Sequence, residues 1–336
     1  MLSAEAGNGF PLLCTLPDGA KQDLYDRCKA GRAHSEPEYD VAFQRPCQER
    51  HSGLVSSFHL LSPMSDHITL FQALLLGLIQ GLTEFIPISS TAHLYIVPRF
   101  LGWSDPGAAF SAAIQLGTLA AVFVYFAADI RQLIAAAVDG LRHRDFCHTP
   151  HARLAWSILP ATIPIAVLGL SFKQYIEIGV RNDVIIGSAL VLLALLLLLS
   201  ERLGRRVRDM AELSFLHIQF IGLCQALALI PGCSRSGSTI MGGLFVGLKR
   251  SQAARLSFVL GLPAIGGSGL LKLFELLGTD LGDGGLLSLA LGIAASAVSG
   301  YLAIGFLLRF IERFGTYAFI CYRVALGSLI LYWSNA

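Results

Sequence analysis

The sequence predicts an all-α, polytopic membrane protein, and three observations carry that expectation. Of 336 residues, 54% are hydrophobic and 14% charged, with a mean hydropathy of +0.61, which is not the balance of a soluble interior and surface. Six apolar stretches match the ~20 residues needed to cross ~30 Å of hydrocarbon: roughly 108–128, 153–172, 183–201, 252–274, 285–309 and 316–334. Two more, about 68–101 and 214–248, are interrupted near the middle by Pro, Gly, Ser and a charged residue, and these predict re-entrant helical hairpins.

Taken in order, the chain opens with a polar leader, residues 1–63, that lacks a basic stretch followed by an apolar core and so does not read as a secretory signal. Met64 directly precedes the first membrane segment, so the expectation is that Met64 is the natural start and that 1–63 is a gene-model extension or a disordered tail. The membrane domain is then 64–336. Within it a hairpin and three spans (66–201) are followed by a second hairpin and three spans (214–334). An odd number of crossings inverts the second copy relative to the first, which predicts an inverted repeat. Backbone broken at membrane depth survives only where protein encloses it or where it lines a wet cavity, so each break marks a site.

Charge gives orientation. The net charge of +2 is too small to argue for a nucleic-acid partner, and the basic residues cluster at the ends of apolar runs. Arg131, Arg142, Arg144 and Arg153 lie in one connection; Arg202, Arg205, Arg206 and Arg208 lie in the next on the same side. Lys249, Arg250 and Arg255, then Arg309 and Arg313, fall there again, which makes that side cytoplasmic. The first hairpin then enters from outside and the second from the cytoplasm. Trp103, Trp156 and Trp333 sit near segment ends, as interfacial belts require. The cysteines show neither CxxC spacing nor nearby histidine pairs, which argues against a zinc site or a disulfide framework. Lys272 and Glu275, near the outer end of a span, read as snorkelling or paired residues.

The chemistry sits in the hairpins. In the first, Gln80 and Glu84 share a helix face, and Pro87, Ser89, Ser90, Thr91 and His93 follow within two turns. An ionisable group at membrane depth is costly and functional by default. In the second, Gln225 precedes Pro231, Ser234, Arg235, Ser236, Ser238 and Thr239. A helix starting there would offer unpaired N–H groups and positive dipole to an anion, and Arg235 adds a planar fork suited to phosphate oxygens. Gln80 and Gln225 precede their prolines by seven and six residues, so the hairpins resemble each other and symmetry brings both breaks near the midplane. A carboxylate, an imidazole, several hydroxyls and an arginine are the parts for moving a phosphoryl group. An alternative for Glu84 and Arg235 is a resting ion pair that opens to receive an anion.

Gln80-x-x-x-Glu84 with Pro87-x-Ser89-Ser90-Thr91-x-His93, followed by Pro231-Gly-x-Ser234-Arg235-Ser236-x-x-Thr239, resembles the undecaprenyl-diphosphate phosphatase family, known also for bacitracin resistance. The resemblance spans 66–336. It implies hydrolysis of undecaprenyl diphosphate to undecaprenyl phosphate and phosphate, recycling the lipid carrier for peptidoglycan and other envelope polymers. It also implies the bacterial inner membrane, a site facing the periplasm, and a divalent cation, Mg²⁺ or Ca²⁺, with Glu84 as metal ligand or base. A homodimer is compatible with it. Gln80 stands where the family has Glu or Gln, so one anionic ligand is lost and the metal would be weakly held and substrate-bridged. For catalysis the expected residues are Glu84, Ser90, His93 and Arg235, with Ser90 or a water as nucleophile and His93 as acid or base. Gln80, Ser89, Thr91, Ser234, Ser236 and Thr239 are expected to bind the diphosphate. The rival reading is a polyprenyl-phosphate flippase or transporter, since inverted repeats with broken helices also build transporters. A non-catalytic assembly protein would leave the hairpin charges without work.

Overall fold

The computed structural model describes residues 68–173, 181–278 and 284–334, so the expectations for the leader lie outside the described residues. The described residues are helical throughout; the single non-helical pairing is an isolated bridge between Arg208 and Leu248.

Helix α1 (Leu70–Phe85) starts at a capping box: the Thr69 hydroxyl accepts from the Gln72 N–H while the Gln72 side chain accepts from the Thr69 N–H. It stops at Ile86, which is extended because Pro87 follows it. Helix α2 (Ser90–Phe100) resumes beyond the break with Ser89 as its cap. Then come α3 (Gly107–Ala113), α4 (Gln115–Tyr125) and α5 (Ala127–His143), followed by α6 (Pro150–Ser171), which has a Thr149 cap and proline in its first turn. Helix α7 (Asp183–Leu203) is capped by Asn182. Helix α8 (Phe215–Ala226), capped by Ser214, passes through a 3₁₀ turn at Leu227–Leu229 and ends at Ile230, again extended before a proline, Pro231. Helix α9 (Arg235–Phe245) resumes with Ser234 as its cap. Helices α10 (Arg250–Leu277), α11 (Gly285–Phe314) and α12 (Tyr317–Trp333) complete the fold.

Four helices, α6, α7, α10 and α11, are long and apolar enough to cross a membrane, which makes this a multi-pass membrane protein. The first expected span, 108–128, takes a different form. Its helices α3 and α4 meet at Ile114, and α4 then turns by 80° into α5, so this stretch counts as a fifth span only if the bent pair is one element. Just past the turn, Arg255 of α10 donates to Asp129 in the first turn of α5 at 2.6 Å. Helix α12 is apolar but has 17 residues, about 26 Å at 1.5 Å per residue, slightly short of the hydrocarbon thickness.

The hairpins are built alike. Their paired residues are Gly77 with Gly222, Gln80 with Gln225 and Ser89 with Ser234, at one common spacing. Helix α1 packs along α11, and α8 packs along α6. In each case the glycine lets the backbones touch. A Cβ on Gly77 would lie 2.3 Å from the Gly292 carbonyl, and one on Gly222 would lie 2.3 Å from the Ala161 carbonyl. The same correspondence relates the packing of α4 on α11 to that of α10 on α6, while α7 and α12 pack against each other. The main core gathers Phe85, Val122, Phe126, Leu193, Leu197, Ile240 and Phe258 around the inner ends of both hairpins.

Candidate active site

The two breaks meet. Glu84, in the last turn of α1, is buried and accepts three hydrogen bonds. Gln80 Nε2 donates to its Oε2 at 2.8 Å, Ser90 Oγ donates to the same oxygen at 2.6 Å, and Arg235 Nη2 of the second hairpin donates to Oε1. Arg235 is the first residue of α9, and its guanidinium lies over Gly261 of α10, where an added Cβ would come into van der Waals contact with it at 3.6 Å. The expected resting ion pair is therefore present, and it ties the carboxylate of one hairpin to the helix start of the other.

Both caps are unusual. Ser89 has φ +75° and Ser234 has φ +60°, a region that costs a residue with a Cβ about 1–3 kcal/mol. Each hydroxyl repays part of that by accepting from its helix start: Ser89 from the Ala92 N–H, Ser234 from the Gly237 N–H. The strained caps thus stand at matched positions of the two breaks.

Several expected residues have other partners. The Ser89 carbonyl can only accept, so His93 Nδ1 carries the proton and donates to it at 2.7 Å. In the neutral ring Nε2 then accepts from the Tyr322 hydroxyl, also at 2.7 Å. Both ring nitrogens are engaged, and the group hydrogen-bonded to Ser90 is Glu84, not His93. The Thr239 hydroxyl is buried, donates to the Arg235 carbonyl at 2.8 Å and lies 2.5 Å from the Ser257 hydroxyl, so it braces α9 on α10. Ser236 bridges the hairpins: its hydroxyl is 3.1 Å from that of Ser234 and reaches the Ile86 carbonyl at 3.5 Å. Thr91 is exposed and lines a cavity of about 200 Å³ together with Gln80, Gln115, Arg181, Leu229 and Pro231. Gln225, the counterpart of Gln80, is fully buried, and its amide makes no hydrogen bond among the described residues.

Sequence reasoning missed Arg323. Its guanidinium is fully buried and donates to Pro87 O at 3.2 Å, Gly232 O at 2.9 Å, Leu190 O at 3.2 Å and Ala189 O at 3.4 Å. It thus satisfies a carbonyl from each broken segment, which membrane-depth backbone requires. The signal was available: Arg323 is the single charged residue of α12.

A helical membrane protein whose two broken hairpins bring a carboxylate-bound serine against an arginine at a helix start has the parts of a phosphoryl-transfer enzyme. The comparisons with known proteins agree. Residues 73–329 match the family model described as bacitracin resistance protein BacA. A protein of Chlorobium phaeobacteroides (strain BS1) named undecaprenyl-diphosphatase is 47% identical over 272 residues, covering 79% of this chain and 96% of its own length. A protein of Myxococcus xanthus (strain DK1622) with the same name is 48% identical over 264 residues, covering 79% of this chain and 89% of its own. The chain belongs to the bacitracin resistance protein BacA family.

Proposed function

We infer that this chain hydrolyses undecaprenyl diphosphate to undecaprenyl phosphate and inorganic phosphate, which recycles the lipid carrier for peptidoglycan synthesis and confers bacitracin resistance. The single observation that carries the reading is the Ser90 hydroxyl, which donates to Glu84 beside the Arg235 guanidinium. A serine needs an adjacent base to become a nucleophile, and here Glu84 is that base. Ser90 Oγ attacks the terminal phosphorus as its proton passes to Glu84. The bond from that phosphorus to the bridging oxygen breaks, and undecaprenyl phosphate leaves. Arg235 exchanges Glu84 for the phosphoryl oxygens, with the first N–H groups of α9 behind it. Water then attacks the phosphoserine phosphorus, Glu84 returns the proton to the departing Ser90 oxygen, and phosphate carries away the water's oxygen. Ser234 and Ser236 are placed to bind phosphate oxygens at the start of α9, and Ser89 holds the backbone that presents Ser90.

A divalent cation, Mg²⁺ or Ca²⁺, fits as a partner of the substrate. Among the described residues no group of three His, Cys, Asp or Glu could hold a metal alone. Gln80 Oε1, however, is buried without a hydrogen bond next to Glu84, and these two are hard oxygen donors. They would hold one face of the ion, whose chemistry is to neutralise charge on phosphate oxygens.

The matched hairpins and the corresponding contacts of α1 with α11 and α8 with α6 support an inverted repeat, with α12 and the bent α4–α5 pair completing six spans. The family implies the inner membrane, and charge supports a periplasm-facing site. Asp105 and Arg181, beside the cavity, lie in connections opposite to those rich in arginine. A flippase would need the anion-binding arginine but has no use for a serine hydroxyl bonded to a carboxylate.

The test is phosphate release from undecaprenyl diphosphate by purified protein in detergent with Mg²⁺, beside Glu84→Gln, Ser90→Ala and Arg235→Ala. The expected losses are about 10²-fold or more for each variant, with thermal unfolding showing that each is folded. A folded parent that releases no phosphate with any divalent metal would overturn the reading.

A further inference from the structure

The cavity of about 200 Å³ beside Gln80 contains a second arginine that the chemistry above does not use. It is smaller than the ~300–1,000 Å³ of pockets that enclose drug-sized ligands, so it suits a headgroup and leaves a long prenyl chain in the bilayer. Arg181, just before the Asn182 cap of α7, lines it together with Thr91 and Gln115, whose side chains can donate hydrogen bonds. The Arg181 side chain is 13% exposed. Its Nη2 donates to Asp105 at 3.0 Å, its guanidinium carbon lies 5.7 Å from the centre of the Tyr95 ring, and its Nε is buried with no hydrogen-bond partner among the described residues. A buried guanidinium N–H left unpaired costs a desolvation penalty that a ligand oxygen would remove. Apart from Gln80 and Ser111, the remaining wall, Leu229 and Pro231 among it, is apolar. Gln80 connects this cavity to the reacting carboxylate, because it lines the cavity and donates to Glu84.

We propose that Arg181, with Thr91 and Gln115, forms a second phosphate subsite that holds the lipid-linked phosphate of the substrate while the terminal phosphate lies between Ser90 and Arg235. Asp105 pairs with the guanidinium from outside the cavity and competes with the ligand for it. The proposal rests on the phosphatase reading for the identity of the ligand, and it makes Arg181 a binding residue, not a catalytic one. Arg235 meets the phosphoryl group that is transferred, and Arg181 meets the one that leaves with the lipid.

Two readouts test it. The first is steady-state phosphate release by Arg181→Gln and Asp105→Asn over a range of undecaprenyl diphosphate. Arg181→Gln is expected to raise KM about tenfold or more with kcat changed far less, and Asp105→Asn is expected to leave KM equal or lower. An unchanged KM in Arg181→Gln, or an Asp105→Asn variant whose KM rises as much as that of Arg181→Gln, would overturn the subsite, the latter because it would make the ion pair a structural tie. The second readout needs no turnover: inorganic pyrophosphate should raise the Tm of the parent and raise that of Arg181→Gln much less. If the parent releases no phosphate, the phosphatase reading fails, and the pyrophosphate shifts still decide the subsite. Equal shifts in both proteins would sink it.

Discussion

Among the described residues, the largest fully buried side chain is an arginine. Burying a guanidinium costs several kcal/mol unless its N–H groups are paired, and Arg323 pairs them with four backbone carbonyls drawn from both breaks and from α7. The exchange is mutual, because the breaks at Pro87 and Gly232 free those carbonyls from helical bonds. Arg323→Met fills the space but leaves the carbonyls unpaired, and is expected to destabilise by about 3 kcal/mol or more at ~1–3 kcal/mol per orphaned group. The check is thermal unfolding in detergent: Tm and activity should fall together, with Arg323→Lys intermediate. An Arg323→Met protein that melts with the parent and keeps its activity would contradict this role. The residue scale is also where sequence reading reached least far. It singled out Glu84, Ser90 and Arg235, which the structure brings into contact, because charge and hydroxyls inside apolar runs are conspicuous. It expected His93 as the acid or base, whereas the His93 ring bonds the Ser89 carbonyl and the Ser90 hydroxyl bonds Glu84. Glu201 was likewise passed over at the end of an apolar run. It is fully buried and joins Arg250, Arg206 and Thr316, tying α7 to the starts of α10 and α12.

At the scale of elements, proline and glycine carry most of the information. Pro87 and Pro231 force the residues before them into extended backbone, so both hairpin breaks were legible as breaks. Long, uninterrupted apolar runs gave α6, α7, α10 and α11 within a few residues, because length and hydropathy alone specify a span. The bend between α4 and α5 was not legible. No proline or glycine marks it, and the contact beside it, the half-exposed ion pair of Asp129 with Arg255, is tertiary. Glycines set how closely the hairpin arms approach their neighbours. Gly222→Val would place a side chain against the Ala161 carbonyl and push α8 off α6, with an expected loss of ~1–3 kcal/mol or more. The measurement is the Tm of the variant beside that of the parent in the same detergent. An unchanged Tm would mean that α8 and α6 are not held in this close contact.

At the scale of the whole molecule, the cluster around Glu84 is assembled from both hairpins. One supplies a carboxylate and the serine bonded to it, the other an arginine and a helix start, and Arg323 and Ser236 fasten the breaks to each other. The repeated pattern of glutamine, proline and serine made that convergence readable from sequence, since equivalent breaks in equivalent segments must meet near a shared axis. The lipid-linked diphosphate then binds where the membrane-depth backbone is already enclosed by protein. The measurement that tests this most directly is a double-mutant cycle on phosphate release, with Glu84→Gln, Arg235→Ala and the two combined. Groups that act as a unit are non-additive, so the double variant is predicted to be no more than a few-fold slower than the slower single variant. Losses that multiply would mean that the two hairpins act independently, and would contradict a single site built across both breaks.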